Sequence, residues 1–373
     1  MRNLQLTLAV IVLFCFTACS NNKPPLVEPE LKEAKGPNII LIIGDGTGLS
    51  QISSLWYAEN TPDKPNYERF PVIGLSKTNS SSHKITDSGA GATAFAIGQK
   101  SYNGSIGVNK DSLPEQNIVE LLSTKKYNSG IISTSSITHA TPASFFAHVV
   151  NRSMAYEIAD QLPTSPIDFF AGGGKQYFMR RPDKRNVYQN LIKAGFVLDT
   201  TSIDNDLDGQ RQGYLLADDG LPKMSEDRSD FLPKATKRAL DFLGGKDEPF
   251  FLMVEGSQVD WGGHDNNGEY IVTELVDLDK AIGIALDFAE KDGNTLVVAI
   301  ADHETGGFSL AGTPVTGFGG VVKDDYQDIT YRFTTGGHTA SHVPVFAFGA
   351  GSEVFSGIYE NNKVYDKLLQ FIP

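Results

Sequence analysis

The chain is almost without cysteine: two occur among 373 residues, Cys15 and Cys19, and both fall within the first nineteen. The remainder has no disulfide to hold it and must rely on its core and on bound ligands. Positive charge is also short, with 32 Lys and Arg against 45 Asp and Glu and a formal net charge of −13. That balance argues against nucleic-acid binding, which depends on neutralising phosphates. An acidic protein that handles phosphate needs a local source of positive charge, and metal ions are the obvious one. There is no internal repeat and no second compositional regime, so one domain is expected.

Long apolar runs are missing as well. The one candidate, Leu4–Phe16, has thirteen residues, too few to span a bilayer, and with Arg2 before it matches the h-region of an export signal. Cys19 follows Ala18 directly and resembles the cleavage and lipidation site of bacterial lipoproteins, with Phe16 standing where a leucine is usual. The segment after it, "SNNKPPLVEPELKEAKGPN", is rich in proline and charge and has no apolar period. The expected organisation is a signal peptide over 1–18, a lipidated cysteine with a flexible tether over 19–37, and a catalytic domain over 38–373. Such a protein would be exported to the periplasm or cell surface and held on a membrane by its lipid.

Within the domain, short β-branched runs alternate with helical patterns. The runs are "NIILIIGDG" from Asn38, "NSGIISTSS" from Asn128, "PFFLMVEGS" from Pro249, "TLVVAIADH" from Thr295 and "VPVFAFGAG" from Val343. Runs apolar on both faces suit buried parallel strands covered by helices. The alternation predicts a doubly wound three-layer α/β/α sandwich with a largely parallel central sheet.

Polar residues cluster just past the carboxyl ends of those runs, where such a fold binds ligands. Asp45 follows the first, His139 and Thr141 the second, Glu255 and Asp260 the third, and Asp302 and His303 the fourth. "VDWGGHD" adds His264 four residues after Asp260, and "GGHTASH" adds His338. Mixed sets of imidazole and carboxylate suit Zn²⁺, and three protein ligands with an open position is the catalytic arrangement. "ITDSGAGATA" sets Ser88 before a run of small residues, which reads as the N-cap of a helix or as a nucleophile at its tip. The two readings are compatible, because an anion at a helix start is stabilised there.

The succession "GDGTG", "TDSGAGAT", "THATPASF", "VNR", "EGSQVDWGGH", "ADHETGG", "GGHTASH" resembles the alkaline phosphatase family from about Asn38 to the C-terminus. The resemblance implies hydrolysis of small phosphate monoesters through a phosphoserine on Ser88. It implies one zinc on Asp260, His264 and His338, and a second on Asp45, Asp302 and His303 with Ser88. It also implies a magnesium ion on Asp45, Thr141 and Glu255, completed by water, and Arg152 as the fork that grips phosphate. Asp87 is expected to orient Arg152, and His139 to act on magnesium through a water. His139 and Trp261 stand where the best-studied bacterial member has aspartate and lysine; some marine bacterial members resemble this pairing. An indole cannot supply the full charge of a lysine to a phosphate.

His83 reads as solvated, His148 as a packed helix residue and His342 as structural. Only 34 residues separate His303 from His338, where larger members insert a crown that helps build the dimer. A short hairpin is expected instead, with a monomer or a homodimer both open. The alternatives are a phosphodiesterase or nucleotide pyrophosphatase of the same superfamily, and a non-catalytic phosphate- or zinc-binding lipoprotein. The intact Ser88 motif and Arg152 count against each.

Overall fold

The five β-branched runs become strands of one ten-stranded sheet. A computed structural model describes residues 36–373; the expected leader, Cys19 and nearly all of the tether lie outside them. In chain order the strands are β1 Asn38–Gly44, β2 Val72–Lys77, β3 Asn128–Ser136, β4 Phe169–Gly173, β5 Phe196–Asp199, β6 Arg211–Leu215 and β7 Phe250–Gly256. They continue with β8 Thr295–Ile300, β9 Glu304–Thr305, β10 Ser309–Thr316, β11 Val322–Arg332, β12 His338–Thr339, β13 Val343–Gly349 and β14 Gly357–Glu360. Across the main sheet the order is β14-β2-β13-β8-β1-β7-β3-β4-β6-β5. β13 runs antiparallel to both its neighbours, and every other pair in the sheet is parallel.

The pleat explains why β1 is apolar throughout. Ile39, Leu41 and Ile43 face one helical layer with Phe95, Ile118 and Val364. Ile40 and Ile42 face the other with Leu55, Leu275 and Leu286. None of the five strand residues is more than 1% exposed, and burying each stabilises the fold by about 2 kcal/mol relative to exposure. The segment from Tyr270 was expected to be helical, and Gly268–Asp292 is a helix. Its Asn267 cap accepts from the Tyr270 amide, and Gly293 ends it at φ 76°. Phe231–Gly244 is likewise helical, with Pro233 tolerated in the first turn. The short hairpin expected between His303 and His338 is β10–β11. His148, expected in a helix, instead follows the short Ala140–Ala143 helix in irregular chain, where it contacts the Gly107 carbonyl and Glu120.

Parallel pairing places the carboxyl ends of β1, β7, β3 and β8 along one edge, and the polar residues of the sequence motifs emerge there. The turn after β1 is tightly packed. Gly46 has φ 72°, and a Cβ on it would lie 2.6 Å from the Asp260 Cα. Its amide donates to Asp302 Oδ1 at 3.2 Å, and its carbonyl accepts from the Thr305 amide at 3.1 Å. Gly293 shares the left-handed backbone, but a Cβ there would meet nothing within 4 Å. Gly293→Ala should therefore cost only the backbone strain, about 1 kcal/mol. Gly46→Ala adds a backbone clash and should cost at least about 3 kcal/mol. Urea unfolding of the two variants checks this, and equal losses would contradict it.

Candidate active site

The Ser88–Ile97 helix is buried along its whole length, and its small residues permit that. A Cβ on Gly91 would come within 3.0 Å of the Asp302 Cβ, and one on Gly89 within 2.9 Å of the Ser105 carbonyl. The cap reading of Ser88 needs correction: Asp87 is the N-cap, and its Oδ1 accepts from the Ala90 amide at 3.0 Å. Ser88 is the first helical residue, so its hydroxyl is free of capping and stands 3.3 Å from His303 Nε2 and 3.5 Å from Asp45 Oδ1. Asp87 has a second task. Its Oδ2 accepts from Arg152 Nη1 at 3.0 Å, while Oδ1 also accepts from the Gly104 amide. Burial alone would raise the Asp87 pKa, but those amides and Arg152 outweigh it and hold the carboxylate below its usual range.

Three groups of potential ligands surround Ser88. Asp260, His264 and His338 form the first, Asp45, Asp302 and His303 the second, and Asp45, His139 and Glu255 the third. In the first, His264 Nε2 lies 3.4 Å from Asp260 Oδ2, His338 Nε2 3.5 Å from Asp260 Oδ1, and the two Nε2 atoms 3.2 Å apart. In the second, His303 Nε2 lies 3.3 Å from Asp302 Oδ2 and 3.5 Å from Asp45 Oδ1. The His303 and His338 rings stack with centroids 3.6 Å apart, which brings the two groups together. The third group sets ligand atoms of Asp45, His139 and Glu255 within 4.8 Å of one another, with the Thr141 hydroxyl buried beside Glu255. Trp261 meets His139 edge to face at 6.1 Å, and Gly220 leaves room for its indole.

Hydrogen bonding around the donor sets shows that they fit metal ions. His264 Nδ1 lies 2.7 Å from the Gly336 carbonyl, and His338 Nδ1 lies 2.8 Å from the Thr86 carbonyl. A carbonyl only accepts, so each Nδ1 carries a proton and each ring, once neutral, directs a bare Nε2 lone pair inward. Two such lone pairs 3.2 Å apart repel unless a cation or a proton lies between them. Among the described residues, the buried carboxylate oxygens Asp45 Oδ2, Asp302 Oδ2 and Glu255 Oε1 lack a hydrogen-bond partner. Unpaired buried acceptors of this kind are costly, and a bound cation supplies the missing partner.

The titration behaviour agrees. Burial pushes Glu255 up to about 7 and Asp302 up to about 6, and raises Asp45 well above the usual carboxylate range. Burial drives His139 and His303 down to about 4. His264 goes the other way, up to about 9, because Asp260 holds its proton. His338 is pushed down by burial and by His303. The protein without cations thus keeps one proton on His264 and others on the buried carboxyls.

Sequence reasoning missed several groups that hold the ligands. Thr305 Oγ1 donates to Asp260 Oδ1 at 2.5 Å and lies 3.2 Å from His303 Nδ1. Glu304 accepts from Gln51 Nε2 at 2.7 Å and the Phe308 amide at 3.0 Å, and Thr339 of β12 also bonds to it. Ser133 Oγ donates to Glu255 Oε2 at 2.5 Å. Thr305 and Glu304 lie inside "ADHETGG", next to the ligands, so the signal was adjacency alone.

The profile of the alkaline phosphatase family matches residues 36–332 of the chain. Alkaline phosphatase 3 of Bacillus subtilis is 31% identical, over 96% of this chain and 95% of its own. The structure of the alkaline phosphatase from the Antarctic bacterium TAB5 superposes with a TM-score of 0.86 at 48% identity, covering 91% of this chain and 98% of that one. A histidine-to-aspartate mutant of the TAB5 enzyme, described with magnesium bound in its M3 site, gives a TM-score of 0.88 at 49% identity, covering 91% and 99%.

Cations must displace the protons on His264, Glu255 and Asp302. Metal binding should therefore release protons, and affinity should rise as pH increases from about 6 to about 9. Titration calorimetry of the stripped protein in two buffers of different ionisation enthalpy checks this, and buffer-independent heats with pH-independent affinity would contradict it.

Proposed function

Because the chain belongs to the alkaline phosphatase family, and so is a metal-dependent phosphomonoester hydrolase, we propose that it works through a phosphoserine on Ser88. The observation that carries this reading is the convergence of three ligand groups, with unpaired acceptor atoms, on the hydroxyl that opens a buried helix. Zinc in the first two groups and magnesium on Asp45, Thr141 and Glu255, when bound, would supply Lewis acidity to the serine, the phosphoryl oxygens and the leaving group.

The residues of the chain account for the rest. Ser88 Oγ forms a bond to phosphorus as the ester P–O bond breaks and the alcohol departs. Water then cleaves the phosphoserine, restoring Ser88 and releasing phosphate. The amides at the start of the Ser88–Ile97 helix favour negative charge at that point. Arg152 presents a planar fork to two non-bridging oxygens. Asp87 holds one arm of it, and the other arm lies 3.4 Å from His139 Nε2. With His139 down at about 4, that ring is neutral at working pH and does not repel the guanidinium. The phosphoryl transition state is loose, so positioning and charge do most of the work. Export and a lipid anchor at Cys19 complete the reading, and would place the enzyme where it meets small phosphate esters outside the cytoplasm.

The test compares a phosphate monoester, a diester and a sulfate ester at alkaline pH, with and without chelator. The monoester should be preferred and chelator should abolish its hydrolysis. Ser88→Ala should lower kcat by at least about a thousandfold and remove the covalent phosphoenzyme, with metal content near that of the wild type. A preferred diester, or turnover through a phosphoenzyme in Ser88→Ala, would refute the reading.

A further inference from the structure

The functional reading leaves His83, His148 and His342 unused, and the fold brings His83 and His342 to one place. Both line a cavity of about 480 Å³ together with Lys77, Thr78, Ser82 and Lys84. In a chain with 45 acidic residues, no Asp or Glu lines this cavity. Lys77 is paired with Glu360 at 3.0 Å. Lys84 is exposed and forms no ion pair among the described residues, so its charge is uncompensated. His83 Nδ1 is engaged by Ser82 Oγ at 2.7 Å, which leaves its Nε2 open. His342 is exposed and makes no hydrogen bond among the described residues. The Thr78 hydroxyl is buried without a hydrogen-bond partner.

Topology sets this cavity beside the reaction centre. β2 and β8 are both antiparallel to β13, so they are parallel to each other and their carboxyl ends lie on one edge of the sheet. β8 leads into Asp302 and His303. β2 ends in Lys77, and the loop that follows it forms the cavity wall. Two strand spacings separate them, about 10 Å. The same loop runs on to Thr86, whose carbonyl is bonded to His338 Nδ1, and then to Ser88. His342 lies four residues beyond His338 and also lines the cavity.

We propose that this cavity is a subsite for the leaving group, and that it takes a second phosphate carried at the far end of an extended substrate. Lys84 supplies the charge, and the imidazoles and hydroxyls supply hydrogen-bond donors to its oxygens. The inference rests on the phosphomonoesterase reading and adds a substrate class to it: extended bisphosphates are preferred over monoesters with a neutral leaving group.

Steady-state kinetics with hexanediol bisphosphate, hexanediol monophosphate and p-nitrophenyl phosphate test it. The wild type should show a lower KM for the bisphosphate than for the hexanediol monophosphate. In the Lys84→Ala/His342→Ala variant, KM for the bisphosphate should rise about fivefold, as for a partly exposed charge contact. KM and kcat for p-nitrophenyl phosphate should stay unchanged, which also shows that the variant is folded. Lys84→Glu should raise KM for the bisphosphate further. Equal changes for all three substrates, or no change for any, would overturn the subsite while leaving the phosphomonoesterase reading intact. A wild type inactive on all three would overturn that reading and the subsite with it.

Discussion

Uncompensated negative charge gathered at one edge of the sheet is the constraint on which the rest of the structure depends. Asp45, Glu255, Asp260 and Asp302 are all buried around Ser88, and the charge of Arg152 reaches Asp45 among them. Carboxylates packed so closely cannot all be ionised without cations, which is why burial drives three of them toward protonation. A fold assembled only for stability would not collect them. It would fill the edge with apolar side chains, as it fills the sheet interior.

The scaffold answers this constraint by fixing ligand atoms from behind. Carbonyls of Gly336 and Thr86 hold His264 and His338 in the tautomer that turns Nε2 inward. Thr305 ties Asp260 to His303, and so couples the first two ligand groups through a single hydroxyl. Glu304 binds Gln51, the Phe308 amide and Thr339, and thereby positions the short β9–β12 ladder that carries His338 beside His303. Close approach is possible because the helix behind Ser88 begins with glycine and alanine, and because Gly46 turns tightly after β1.

The centre of the fold was legible in the sequence because β1, β7 and β8 are buried on both faces and read as nearly unbroken apolar runs, while in β3 only Ile131 and Ile132 are apolar among small polar residues. β13 was legible as a strand but not in direction, since direction depends on its neighbours. The shorter strands β4, β5, β6 and β14 were not foreseen; four or five residues such as "FVLD" carry too little pattern to separate a strand from a turn. Among the site residues, the ligand types at strand ends stood out because chemistry restricts them to Asp, Glu and His. The assignment of the cap to Ser88 failed because serine and aspartate are equally good caps, and only coordinates show which oxygen faces the Ala90 amide. Thr305 was invisible for a similar reason. A threonine has no signature as a support for metal ligands, and its partners lie two and 45 positions away.

A zinc-edge anomalous difference map, from crystals of protein purified without chelator and supplied with zinc and magnesium, tests the account most directly. It should show one peak among Asp260, His264 and His338, and a second among Asp45, Asp302 and His303 next to Ser88. Absence of peaks at both places, in crystals where those side chains are ordered, would contradict the claim that cations balance the buried carboxylates.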